Sequence, residues 1–314
     1  MKSNTNNIIP TLNDLLQLEY LVASTGFSLL PKQLVHSVLA GKHASKLRGR
    51  GLDFEEARKY VAGDDIRNID WRVTARTRTT YTKVFTEEKE KPVLIITDLT
   101  PSMFFGSKVY TKSYIASQLA AISAFKVLKN SDRVGGIIFN HKQTVTHAPK
   151  RNRKNILQYF NTMVSFNKEL LNENNNIEDK PEVFEKVLNK TISIATHDFL
   201  VIIISDFINT SAKTKKQIIH ISQHNDVILC PISDPMESDL GSDKLVLSDG
   251  NLQFLWKENN QKQTANFKRQ QNEYNQNFQK EISRYGIPFM QLNTVEPINL
   301  QLKNLFKNKL QKNR

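Results

Sequence analysis

Three short apolar runs constrain this chain more than anything else in it: Val93–Ile96 (VLII), the stretch Asp132–Phe139 (DRVGGIIF) and the stretch Phe199–Phe207 (FLVIIISDF). Each is too short for a helix, and turn residues bound it, so each reads as a buried strand. Helical periodicity fills the gaps. Lys108–Lys129 carries an apolar stripe through Ile115, Leu119, Ile122 and Phe125. The basic stretch PKRNRKN opens a helix through Ile156, Leu157, Phe160 and Met163, and Pro181 suits the first turn of a helix to Thr196. Lys213–His224 predicts a further helix, and Asp226–Ser233 and Pro288–Leu292 further strands. Thr144–His147 predicts an edge strand, and Lys244–Trp256 a hairpin around Asp249-Gly250-Asn251. A basic helix ends the chain. Strands alternating with helices predict an α/β fold, a doubly wound and mostly parallel sheet of Rossmann-like type.

What precedes Pro92 has another character. Thr11–Gly26 is an amphipathic helix by its leucine spacing, and Lys42–Gly51 is a basic, glycine-punctuated connector. Arg48–Glu88 holds nine Lys/Arg against eight Asp/Glu, with Tyr60, Trp71 and Tyr81 among them. Within it the pattern predicts a short helix over Phe54–Tyr60 capped by Asp53, and a turn at Gly63-Asp64-Asp65. A hairpin of Trp71–Ala75 and Thr80–Phe85 would have Arg76 and Arg78 in its turn. The division that follows is a helical segment over 1–45, a charged helix and hairpin module over 46–90, and the α/β domain over 91–314.

Composition narrows the function classes. At 39% hydrophobic residues the 314-residue chain can build a large core, which excludes global disorder. The longest apolar runs are about a third of a bilayer span, and MKSNTNNIIPTLND lacks an apolar signal core. Cys230 is the one cysteine, so there is neither an internal disulfide nor zinc spacing, and a cytoplasmic protein is expected. The net charge of +13 favours acidic partners. Its basic stretches lack interleaved aromatics, so nucleic acid is not the expected partner.

The first apolar run ends in Asp98-Leu99-Thr100-Pro101-Ser102, which puts a carboxylate and two hydroxyls at alternating positions just beyond a strand. Ligands of α/β sheets bind at carboxyl ends of strands, and all-oxygen donors suit a hard cation such as magnesium or calcium. Locally, Asp98 and Ser102 also have the form of turn and cap residues.

RGRGLDFEEARKYVAGDDIRNIDWRVTARTRTTYTKVFTEE, then a strand and DLTPSMFFGSK, then DRVGGIIF and VIIISDF, closely resembles bacterial domain-of-unknown-function family fifty-eight. The resemblance runs from about Lys46 through Asp234. It implies a von Willebrand factor A-type domain with a metal-ion-dependent adhesion site, magnesium or another divalent cation bound by Asp98, Thr100 and Ser102, and Asp206 joining from a later strand. The threonine that the family places in a later loop has no counterpart, since Glu178-Asp179-Lys180 stands there. The resemblance further implies a non-enzymatic interaction protein working with a MoxR-type AAA+ ATPase and other von Willebrand factor A proteins, in complex maturation or envelope functions. Any membrane link would be peripheral. Arg76, Arg78, Asp64 and Asp65 are the candidate partner contacts. The rival class is a divalent-metal phosphohydrolase of haloacid-dehalogenase-like type with Asp98 as nucleophile, which needs a lysine and a second acidic cluster downstream.

Overall fold

The computed structural model describes residues 8–24, 52–87, 91–172, 181–208, 210–238, 245–248, 253–256 and 277–311. The predicted connector at Lys42–Gly51, the Glu178–Lys180 loop and the Asp249-Gly250-Asn251 turn lie outside them. The chain divides into two units, residues 1–29 with 91–314, and residues 30–90.

Helix α1 (Leu12–Ser24) opens on a reciprocal cap: Thr11 N–H donates to Asp14 Oδ2 and Asp14 N–H to Thr11 Oγ1. Leu15, Leu18 and Val22 make its buried face. Arg153 reaches Glu19 in a two-pronged pair at 2.6 and 2.7 Å, and Thr111 donates to the Ile8 carbonyl, so α1 belongs with the sheet unit.

In the smaller unit, β1 (Leu52–Lys59) and β2 (Tyr81–Glu87) pair antiparallel around helix α2 (Trp71–Thr77). Two expectations are overturned. Phe54–Tyr60 is not a helix capped by Asp53; most of it belongs to a strand, because β2 supplies a ladder that outweighs the helix-favouring Glu, Ala, Arg and Lys. Trp71–Ala75 is not a strand. Asp70 accepts from the Arg72 and Val73 amides at 3.1 Å and starts a helix, which Arg78 ends in the left-handed conformation, φ 56°. The predicted strand at Thr80–Phe85 matches β2 within a residue or two.

The sheet unit continues with β3 (Val93–Asp98), α3 (Lys112–Lys129), β4 (Val134–Phe139), β5 (Thr144–Lys150), α4 (Arg153–Asn172), α5 (Pro181–Ile194), β6 (Leu200–Ser205), α6 (Ala212–Ser222) and β7 (Asp226–Ser233). A short α7 (Pro235–Ser238), the hairpin β8 (Leu245–Ser248) and β9 (Gln253–Trp256), the two-residue β10 (Leu292–Asn293) and α8 (Ile298–Gln311) complete it. The strand predicted at Pro288–Leu292 shrinks to β10 and one isolated bridge from Phe289 to Leu229.

Six strands form one sheet in the order β10-β7-β6-β3-β4-β5, all parallel except the edge strand β5. This is the doubly wound fold that the sequence implies. Strands β3, β4 and β6 are buried along their whole length, since helices cover both faces. Gly136 marks one close approach. A Cβ there would lie 2.4 Å from the Tyr159 ring, whose hydroxyl meets Thr97 Oγ1 at 2.7 Å beneath the sheet.

Candidate metal centre

The chain leaves β3 toward β4 on one side and returns to β6 on the other. The carboxyl ends of β3 and β6 therefore flank the crevice where the strand order reverses, the usual ligand position of such sheets. Asp98 ends β3, and Ser205-Asp206 ends β6.

Asp98 is buried, and every polar neighbour named here donates to it. Its Oδ1 accepts from the Thr100 amide at 2.9 Å and the Thr100 hydroxyl at 2.6 Å, and its Oδ2 from the Ser205 hydroxyl at 2.6 Å. Pro101 starts a single 3₁₀ turn, Pro101–Met103, which brings the Ser102 hydroxyl to 3.4 Å from that of Thr100. Burial, and after it the negative charge of Asp206, push the Asp98 carboxyl up to about 7, against the opposing pull of its hydrogen bonds from Ser205 and Thr100.

The backbone after β6 is strained. Phe207 sits at φ 55°, an outlier for a bulky side chain, and its buried ring lies 6.1 Å from Phe184 and 5.5 Å from Phe278 between centroids. The Phe207 amide bonds Ser205 Oγ and the Ile208 amide bonds Asp206 Oδ1, so this turn fixes both polar side chains.

Asp98, Thr100, Ser102, Ser205 and Asp206 line one cleft with Phe139, Val183, Phe184, Phe207 and Ile208; its volume is about 30 Å³. That is room for one water or one ion. The structure thus brings together all four residues the sequence nominates for a metal. Their chemistry fits a hard cation: two carboxylates, with hydroxyls that can rotate their lone pairs toward it. Among the described residues no three His, Cys, Asp or Glu side chains gather as a metal cluster, so such a site depends on its hydroxyls.

Sequence reasoning missed Lys112. Its ammonium is 2.7 Å from Asp206 Oδ2 and 2.5 Å from Glu237 Oε1, with the lysine side chain 1% exposed and that of Asp206 5%. Burial alone would pull the lysine down, but the two carboxylates outweigh it and hold its pKa above the ordinary value. Burial raises the Glu237 carboxyl, against the pull of Lys112. Asp234 builds the support. It accepts from the Ser107 amide, the Thr294 hydroxyl and the Met236 amide, and its own amide donates to Glu237. The sequence carried no signal for Lys112: a lysine near the start of a helix reads as a solvated residue until the fold brings the two carboxylates to it.

Arg76, Arg78, Asp64 and Asp65 all fall in the smaller unit. Arg58 grips Asp64 with both terminal nitrogens, at 2.7 and 2.9 Å. Asp65 caps the 3₁₀ turn Ile66–Asn68 and meets Arg67 at 3.2 Å. Arg76 lies in the last turn of α2 and Arg78 is its C-cap, both exposed.

A doubly wound sheet with an acidic, hydroxyl-bearing crevice at its switch point defines the class, an α/β domain of Rossmann-like type. The chain belongs to DUF58, described as a protein of unknown function, whose family model matches residues 56–284. It is 32% identical over 123 residues to the uncharacterized proteins Rv1480 of Mycobacterium tuberculosis and Mb1516 of Mycobacterium bovis. Each match covers 39% of this chain and only 38% of the relative. Among solved structures it is similar to the conserved hypothetical protein BatB from Bacteroides thetaiotaomicron, with 15% identity, 71% of this chain and 98% of that one covered, and a TM-score of 0.40. The SpRpn10 VWA domain gives 9% identity, 69% and 95% coverage, and a TM-score of 0.35. Among the described residues no helix is long and apolar enough to cross a membrane.

Proposed function

We propose that this protein is a non-catalytic interaction module in which Asp98, Thr100 and Ser102 hold a divalent cation, magnesium or manganese, at the switch point of the sheet. The carrying observation is the cleft of about 30 Å³ at the ends of β3 and β6, whose polar lining is the oxygen-bearing set Asp98, Thr100, Ser102, Ser205 and Asp206. When bound, the ion would supply an open coordination position for an acidic side chain of a partner. Asp98 contributes the charge, Thr100 and Ser102 contribute neutral donors, and the Pro101 turn holds their spacing. A donor set with a single negative charge leaves a divalent ion electrophilic enough to want an external carboxylate.

The partner that fits the family resemblance is a MoxR-type AAA+ ATPase, with other von Willebrand factor A proteins in the same assembly. The exposed Arg76 and Arg78 would add contacts to an acidic surface.

Affinity capture of the tagged protein from its own cell extract, with magnesium or with chelator, tests this reading. An AAA+ ATPase retained in magnesium and lost in chelator, and lost for Asp98→Ala in both, is the expected result. Retention that ignores chelator and Asp98 alike contradicts it.

A further inference from the structure

Lys112 is placed against three separate costs. It is 1% exposed, it loses rotamer freedom, and as the first residue of the 18-residue helix α3 it puts a positive charge at the positive end of the dipole. The Phe105 ring, 5.9 Å from its nitrogen, covers one side of it. A buried charge persists only where partners hold it, and here the partners come from two other elements: Asp206 from the end of β6 and Glu237 from α7. The ammonium thus occupies Asp206 Oδ2, while Oδ1 accepts the Ile208 amide. The second carboxylate of the crevice already has its cation.

We propose that Lys112 is the resident counter-cation of Asp206 and sets the divalent-ion affinity of the crevice. This rests on the reading of Asp98, Thr100 and Ser102 as ion ligands. With both groups ionised, Asp98 and Asp206 bring two negative charges to the crevice, and Lys112, shared with Glu237, offsets part of the second before a divalent ion arrives. The lysine keeps Asp206 ordered and neutralised without metal, so the crevice stays formed when empty. It also repels an arriving cation and withholds one carboxylate from it. The expected consequence is a weak, readily exchanging site, one that answers to the ion concentration and to a partner's carboxylate rather than holding its metal permanently. Lys112 is on this account a positioning and affinity-setting residue; it is not a ligand.

The test is calorimetric titration of manganese chloride into the wild-type protein, Lys112→Met, Lys112→Arg and Glu237→Gln, with melting curves in chelator and in manganese. Lys112→Met should bind manganese at least about tenfold more tightly than wild type, since it frees Asp206 and removes the opposing charge. Its melting temperature should fall in chelator and recover in manganese by more than the wild type gains. Lys112→Arg keeps the charge and should stay within about threefold of wild type. Glu237→Gln leaves the whole ammonium to Asp206 and should bind a few-fold more weakly. It keeps the test decisive if Lys112→Met fails to fold. Wild-type binding with unchanged or weaker affinity in Lys112→Met, or tighter binding in Glu237→Gln, overturns the role of Lys112 and leaves the metal reading standing. Manganese binding by none of the four overturns both.

Discussion

One ion pair from each unit shows two opposite ways of holding charge. In the smaller unit the Arg58–Asp64 pair is two-pronged and well aligned, yet the arginine side chain is 42% exposed. In the sheet unit the Lys112–Asp206 pair is almost completely dry, and a second carboxylate shares the cation. Good geometry is common to both, so geometry is not what separates them. An exposed pair competes with water and salt and contributes little, whereas removing one member of a buried pair leaves a charge with no solvent to take it. The first arrangement shapes a surface, and the second fixes the position of a crevice.

The largest test of that contrast is direct. In chelator, Lys112→Met should destabilise the sheet unit by about 3–5 kcal/mol, because it leaves Asp206 and Glu237 buried without their cation. Arg58→Ala should leave the denaturation midpoint of the protein unchanged. Equal effects from the two, measured by urea titration, would remove the distinction between the units. Next in size are two changes beneath the crevice. Gly136→Ala pushes a methyl group against the Tyr159 ring and the Ile95 carbonyl, and overpacking of that kind costs about 1–3 kcal/mol. Tyr159→Phe removes the buried partner of the Thr97 hydroxyl and should cost about 1–3 kcal/mol, read on the same urea curves. Smaller still is the loss of the Asp70 cap. Asp70→Ala should weaken α2 by about 1 kcal/mol, visible as faster amide exchange in that helix and not in the sheet.

Asp98 gives the comparison a pH axis. Burial raises its folded-state pKa to about 7 from the ordinary 3.8, so the folded state holds the proton more tightly than the unfolded chain does. Below about pH 4 the group contributes nothing, since both states are protonated. Stability from this group then falls as the pH rises from about 4 through 7, and it is level above that. Asp98→Asn should flatten that slope in metal-free melting curves. A bound ion competes with the same proton, so manganese affinity should fall below pH 7, approaching about tenfold per pH unit.

The two units also differ in how far the sequence reveals them. Val93–Ile96 and Leu200–Ser205 can be buried on both sides only inside a covered sheet, and β4, β5, β7 and the helices between them follow the predicted order. The pairing of Asp98 with Asp206 follows from the resemblance and from the switch point together. The smaller unit misleads because its local propensities oppose its structure. LDFEEARK is rich in helix formers and becomes a strand through β2, while WRVTART has the β-branched look of a strand and becomes a helix through Asp70. Lys112 was hidden for a different reason. A lysine near a helix start looks like a solvated residue until Asp206 and Glu237, 94 and 125 positions away, are seen to meet it.

In this proposal the crevice binds a divalent ion through Asp98. Manganese titration of wild type and Asp98→Ala at pH 8 measures it most directly, with circular dichroism to confirm that both are folded. One bound ion per wild-type chain, absent in a folded Asp98→Ala, is the predicted result. A folded wild type that takes up no manganese at millimolar concentrations, or an Asp98→Ala variant that binds as well as wild type, would contradict it.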